Sequence, residues 1–146
     1  MIKILKSKEE LNLGFALRIE VFVKEQKVPI ELELDEKDYS ENTVHIGYFN
    51  DDKLIGVARL IDFDKDIIRI GRVAIDKDYR GKGIGGKLIV GCENIAKQIL
   101  KKEVIIELSA QIQAEKFYES LGYNRINDKI YLDAGIEHVD MRKVIN

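Results

Sequence analysis

The chain has 146 residues, with 24 Lys and Arg against 26 Asp and Glu and a formal net charge of −2. That length suits one domain, able to bury roughly 68–70% of its unfolded surface around a substantial core. The charge balance argues against a nucleic-acid partner, which calls for a basic excess on one face, and no apolar run approaches the ~18 residues of a membrane span. The opening MIKILKSKEEL lacks the apolar region of an export signal, so a soluble, cytoplasmic protein with a small partner is expected. The single cysteine, Cys92, excludes an internal disulfide and lies at core spacing in a helical pattern, as a small hydrophobe rather than a nucleophile.

IKIL at 2–5 reads as a short strand. Ser7 and Glu10 form a capping box that opens a helix with Leu11, Phe15, Ile19 and Phe22 on one side, running to about Gln26. KVPIELELDEKDYSENT holds the only proline and a run of acids, and reads as a loop or short irregular helix. TVHIGYF, LIGVARLI and IIRIGRVAI, joined by turns at NDDK and near DFDKD, read as an antiparallel meander. The stretch YRGKGIGGKL then leads into a helix with Ile84, Leu88, Cys92, Ile95 and Ile99 on one face. Its end falls near Lys101 and Lys102, where cations favour the C-terminal dipole. VIIEL at 104–108 should pair in parallel with the strand before this helix, because a crossover helix joins them. QAEKFYES is a second helix stopped at Gly122. YNRI and KIYL, around Asn127 and Asp128, and then HVDMRKVI finish the chain as strands. An exposed C-terminal strand would offer pairing across a homodimer. The order β-α-β-β-β-α-β-α-β-β gives a single α/β (α+β) domain over 1–146, with a mixed, mostly antiparallel sheet flanked by helices.

YRGKGIGGKL admits three phosphate-binding readings that share one physics: glycines let backbone N–H groups approach an anion, and a helix N-terminus favours negative charge. Counted from Gly81 it spells G-x-x-x-x-G-K, but Leu88 stands where a P-loop needs a hydroxyl for Mg²⁺. Counted again from Gly81 it spells the dinucleotide fingerprint G-x-G-x-x-G, with Glu107 about twenty residues beyond, where a ribose-binding acid belongs. Against an NAD-dependent reductase, DKDYR separates Ile75 from Gly81, the preceding strands form a meander, and too little chain remains for a second mononucleotide half. Counted from Arg80 it spells R-x-x-G-x-G. The preceding strand, a short polar connection and the following helix then offer a backbone for an amide-rich arm and an N-terminus for a pyrophosphate. Gly83 and Gly85 each cost a helix roughly 0.5–1 kcal/mol relative to Ala, so a close ligand is the expected reason for them.

RVAI-DKDY-RGKGIG resembles the core motif of the GCN5-related N-acetyltransferase (GNAT) superfamily: a strand, R-x-x-G-x-G and a long helix. FYESLGY at 117–123, counted from Ala114, resembles that family's second motif, A-x-x-F-Y-x-x-L-G-F. RIEVFVKEQKVP with ELDEKD, and AGIEHVDM near the C-terminus, are similar to the branch typified by the bacterial ElaA and YjcF proteins. The resemblance covers essentially the whole chain. It implies acetyl-CoA as co-substrate without a metal, and a small-molecule or peptide amine that attacks the thioester directly. Backbone groups of Val73, Ala74 and Ile75 would bond the pantetheine arm, with an N–H near Ala74 polarising the thioester. The N–H groups of Gly81, Lys82, Gly83, Ile84, Gly85 and Gly86 would hold the pyrophosphate, and Arg80, Lys82 and Lys87 would meet its oxygens. Gln111 stands where many relatives carry Asn and keeps an amide at the cofactor.

On the same resemblance, Tyr118 lies near the CoA sulfur and protonates the departing thiolate, from a phenol whose ordinary pKa is ~10. Transfer to an amine also needs a base, for which Glu107 beside the cofactor is a candidate. His45 and His138 are the only side chains that ordinarily titrate near neutrality, yet both sit in strand patterns where a structural histidine is commoner. Arg18 with Phe22, Glu33-x-Asp35-x-x-Asp38 and Arg59 resemble spacings in acyl-homoserine-lactone synthases, a distant branch of the fold. Arg18, Asp35, Asp38 and Arg59 should then form an ion network, structural or functional, while Glu31 and Glu33 border the acceptor side and could attract a cationic amine. The chain lacks Trp and keeps the full glycine loop, which leaves a lactone synthase as a minor alternative. A CoA-binding sensor without chemistry is the alternative of a different class.

Overall fold

In the computed structural model, which describes residues 1–146, eight strands form one sheet in the order β1-β2-β3-β4-β5-β8-β6, with β7 also paired to β8. β1 (Ile2–Ile4), β2 (Val44–Asn50), β3 (Lys53–Ile61) and β4 (Ile67–Ile75) are antiparallel neighbours, and β5 (Val104–Gln111) joins β4 in parallel. The helices are α1 (Lys8–Arg18), α2 (Ile30–Glu33), α3 (Ile84–Leu100) and α4 (Glu115–Ser120). No helix is long and apolar enough to cross a membrane.

At the start of α1, Ser7 Oγ accepts from the Glu10 N–H at 3.0 Å. The Glu10 carboxylate turns to the Lys6 N–H and the Lys3 ammonium instead of Ser7, so only half of the expected capping box forms. The helical pattern extends as anticipated, but from Ile19 to Glu25 it is π-helical, a rare geometry often found at functional sites. The acidic stretch that follows is α2 and a 3-10 turn at Glu36–Tyr39.

α3 packs on one face of the sheet, where Leu88, Ile89, Cys92 and Ala96 meet Ile46, Leu60, Ile68, Ile70, Ile106 and Met141 in the larger core. Ile99, expected on that face, is 45% exposed in the last turn. Cys92 is fully enclosed and burial pushes its thiol up, which suits the inert role expected of it. A smaller core of Leu5, Val21, Phe49, Leu54, Val57 and Ala74, joined by Leu11, Leu17 and Phe22, covers the other face.

The last segments are strands, as expected, and their pairing is set by the final one. β6 (Asn124–Arg125) and β7 (Tyr131–Asp133) do not pair with each other; each pairs with β8 (Ile136–Ile145), which lies between them and β5. The C-terminal strand is therefore internal over most of its length, and the free edges are short strands, which resist intermolecular pairing.

Two features of β4 shape the rest. Its pairing with β3 shifts register between Val57/Ala74 and Arg59/Gly71, a bulge that places Arg72 at φ +52°. The extra residue reverses the strand's facing: Ile68 and Ile70 join the larger core, then Val73 and Ile75 do, while Ala74 joins the smaller one. Its pairing with β5 also stops at Ile70 and Leu108, although β4 runs on to Ile75 and β5 to Gln111. The two parallel strands part in a V.

Candidate active site

A cavity of about 390 Å³ occupies the V, within the usual size range of ligand pockets. β4 contributes Ile70 to Val73 and β5 contributes Leu108, Ser109 and Gln111, so the backbone beyond Ile70 borders the cavity with no strand partner from β5. Ala74 pairs with Val57 on its β3 side, leaving the opposite edge of Val73–Ile75 toward the opening. Phe22 and Gln26, at and just beyond the π-helical turns, form the facing wall.

The glycine loop lies at the end of β4. Asp76 caps a 3-10 turn at Lys77–Tyr79, and the chain enters α3 through Gly81 and Gly83, both at φ +78°, with Gly83 the N-cap. This corrects the expectation that only a ligand explains the glycines: a left-handed backbone alone favours Gly at 81 and 83. A side chain there would meet nothing within 4 Å, so the outer side of the loop is open. Added Cβ atoms at Gly85 and Gly86 would make ordinary contacts with Phe117 and Leu121. The first turn of α3 carries no acid, so no carboxylate of its own competes for the N–H groups and positive dipole end of the helix. Arg80, expected to meet phosphate oxygens, is held here by protein groups. It donates to the Ile75 carbonyl at 3.0 Å and to both Glu25 oxygens at 2.8 and 3.1 Å, tying the loop to the π-helical segment. Lys82 lies over the Tyr79 ring at 5.4 Å, and neither Lys82 nor Lys87 is in an ion pair.

Tyr118, on α4, lines the cavity with its ring edge-on to Phe117 and Tyr123 at 5.0 and 6.0 Å. Burial, reinforced by the nearby Cys92, pushes its phenol up to about 12. With that shift the phenol keeps its proton at neutral pH, and with no protein partner the hydroxyl is free to donate. Gln111 donates to Gln26 Oε1 at 2.9 Å, a bridge between the two walls.

The family description "Acetyltransferase (GNAT) domain" matches residues 6–145. The chain belongs to the GNAT family. It is 37% identical over 140 residues to the uncharacterized N-acetyltransferase YjcF of Bacillus subtilis, covering 96% of each. The crystal structure of Escherichia coli ElaA is similar at a TM-score of 0.87, with 26% identity and 98% of both chains covered. An acyl-CoA N-acyltransferase from Pseudomonas aeruginosa is similar at 0.85, with 29% identity over 98% of this chain and 97% of that one. The protein is thus a GNAT acyltransferase of the ElaA/YjcF-like branch, which removes the dinucleotide and P-loop readings; Leu88, the residue that weakened the latter, lies fully buried under the sheet.

In this GNAT domain Glu107 is clasped between Arg69 of β4, at 3.2 Å, and Arg142 of β8, at 2.8 Å from Nε, and it does not line the cavity. Its oxygens already accept from two guanidinium groups, which argues against the expected role as base. The anticipated ion network does form. Arg18, 1% exposed, donates to Glu33 at 2.6 Å and to Asp38 at 2.7 Å, and Arg59 donates to Asp35 at 2.7 Å and Asp38 at 2.9 Å. Burial works against the Asp38 charge, yet Arg18, the Asp35 N–H and Arg59 hold its carboxyl at about 2. The network is larger than expected. Glu33 is a buried member whose carboxyl burial pushes up, against the pull of Arg18, rather than a free acid for the acceptor. Glu31 is exposed on α2 and does not reach the cavity.

Arg72, which the sequence reading missed, completes the set. It donates to the Leu32 and Glu33 carbonyls at 3.2 and 3.1 Å and to Asp35 at 3.3 Å, which fastens the bulge to the acidic segment. Its signal was the spacing of Arg69 and Arg72, three apart in a strand whose period is two. The histidines divide. His45 is buried with Nε2 3.0 Å from the Asp38 carbonyl and its pKa lowered by burial, a structural role. His138 lines the cavity.

Proposed function

We propose that this acyltransferase moves an acetyl group from acetyl-CoA to a primary amine of a small molecule or peptide by direct attack. The observation that carries the reading is the parting of β4 and β5 beside an acid-free, glycine-gated helix start. The pantetheine arm would pair with the open edge of Val73–Ile75, and its pyrophosphate would rest on the N–H groups from Gly81 to Gly86, with Lys82 and Lys87 adding charge. The amine nitrogen attacks the acetyl carbon, the C–S bond breaks, and Tyr118 donates to the departing thiolate. A phenol near 12 is a weaker acid than a thiol of ~8.5, so Tyr118 serves first as a hydrogen-bond donor and regains its proton from the amide nitrogen as the product forms. Glu33, the buried acid at the cavity, is already paired with Arg18 and Arg72, so it is not the group that would meet the acceptor's charge. The test is thiol release from acetyl-CoA across a panel of polyamines, amino sugars, aminoglycosides, amino acids and lysine peptides. Acetylated product with at least one class supports the reading, and stabilisation by acetyl-CoA without thiol release would make the protein a sensor.

A further inference from the structure

His138 stands on β8, opposite Gln111 of β5 on one side and Tyr131 of β7 on the other. Its Nδ1 lies 2.6 Å from the Ile136 carbonyl. A carbonyl oxygen only accepts, so Nδ1 carries the hydrogen, and Nε2 is the lone-pair nitrogen of the neutral ring. Nε2 has no protein partner, although the residue is only 8% exposed and lines the cavity. The ring is fixed on its face as well, stacked on Tyr131 at 6.0 Å and 22°. Tyr131 in turn donates to Asp140 at 2.6 Å and meets Ser109 Oγ. An imidazole oriented at two points with its basic nitrogen left over is the arrangement in which a base is held ready.

The other charged groups that line the cavity, Asp133 apart, are committed. Glu33 is taken by Arg18 and Arg72, and Arg69 by Glu107 and Asp140. Arg59 is paired with Asp35 and Asp38. Tyr118 is a donor, and Asp133, the last residue of β7, is exposed, with no hydrogen bond or ion pair to orient its carboxylate.

We propose that His138 is the general base of the transfer. This rests on the acetyl-transfer reading. Nε2 takes a proton from the acceptor ammonium, the neutral amine attacks the acetyl carbon, and the C–N bond forms as the C–S bond breaks. The thiolate takes the Tyr118 proton, the protonated amide nitrogen returns one to Tyr118, and the imidazolium releases its proton to water. One proton leaves per turnover, as acylation of an ammonium requires.

The test compares wild type with His138→Asn and His138→Gln, using the amine that gives thiol release in the panel. Asn can keep an N–H near the Ile136 carbonyl and Gln an amide near Nε2, but neither is a base. At pH 7 both variants should lose roughly 10²–10⁴-fold in kcat/KM, with the stabilisation of the chain by acetyl-CoA unchanged. The deficit should shrink at pH 9.5, because an ordinary alkylammonium of pKa ~10.4 passes from roughly one part in 2,500 neutral to about one in nine. A merely structural role predicts a deficit that is constant with pH, or a loss of acetyl-CoA stabilisation. Either result, or wild-type rates at pH 7, overturns the assignment. Wild type silent with every amine would instead refute the transfer reading, and His138 with it, a distinguishable outcome.

Discussion

Gly83→Asp separates what the loop does for the fold from what it does for the ligand. Gly83 is the N-cap of α3 at φ +78°, so any other residue pays a left-handed penalty of about 1 kcal/mol, less for Asp than for most. Its Cβ would meet no atom within 4 Å, so no steric cost is added. The chain should remain folded with a Tm lowered by about 3–4 °C. The carboxylate, however, would stand where the pyrophosphate is proposed to lie. One unit charge held ~4 Å from another costs ~4 kcal/mol at an effective dielectric of 20, about a thousandfold in Kd. Gly83→Ala carries a backbone cost at least as large, without the charge. Calorimetric titration with CoA should therefore show Gly83→Ala within a few-fold of wild type and Gly83→Asp weaker by roughly 10³, the gap narrowing at high salt. Equal CoA affinity in Gly83→Asp and wild type would refute the placement of the pyrophosphate, and equal losses in both variants would refute the electrostatic argument.

Tyr118→Phe removes a hydroxyl that has no protein partner, so stability should change little while turnover falls by roughly 10²-fold or more at unchanged CoA affinity, measured as thiol release and by titration. Unchanged turnover would leave Tyr118 as a packing residue of α4. Arg18→Met keeps much of the side chain's volume but leaves Glu33 and Asp38 buried without their shared partner, at a cost of about 3–5 kcal/mol in thermal or urea unfolding. A loss below about 1 kcal/mol would show that Arg59 and Arg72 alone suffice to neutralise the acids.

Much of this architecture is written locally. The apolar runs of β2 to β4 and the stripe of α3 depend on residues whose period fixes the element, and the parallel partner of VIIEL follows from the handed crossover of α3. RGKGIG and FYESLGY could be read because a ligand-binding loop concentrates its requirements in a few adjacent letters. A second reason for Gly83, its left-handed backbone, is not legible, since the sign of a φ angle is not visible in a letter that permits both signs. Arg72 was missed because a bulge is set by the register of two strands, and only the three-residue step from Arg69 hints at it. Glu107 and His138 exchanged standing for a similar reason. On the sequence both are strand residues; what separates them is that two arginines from neighbouring strands close on Glu107, whereas the Ile136 carbonyl and Tyr131 hold His138 and leave Nε2 open. β6 and β7 are legible as short strand segments, but their shared partner β8 is not, because the choice of strand partner is a tertiary matter.

The central claim is tested most directly by following thiol release from acetyl-CoA with the unmodified protein across the amine panel, alongside thermal unfolding with acetyl-CoA. Acetyl-CoA at a hundred times its Kd should add ~2.7 kcal/mol of stability, and at least one amine should then release CoA thiol in step with its own acetylation. Stabilisation without release from any amine would contradict the account of an acetyl-transferring enzyme.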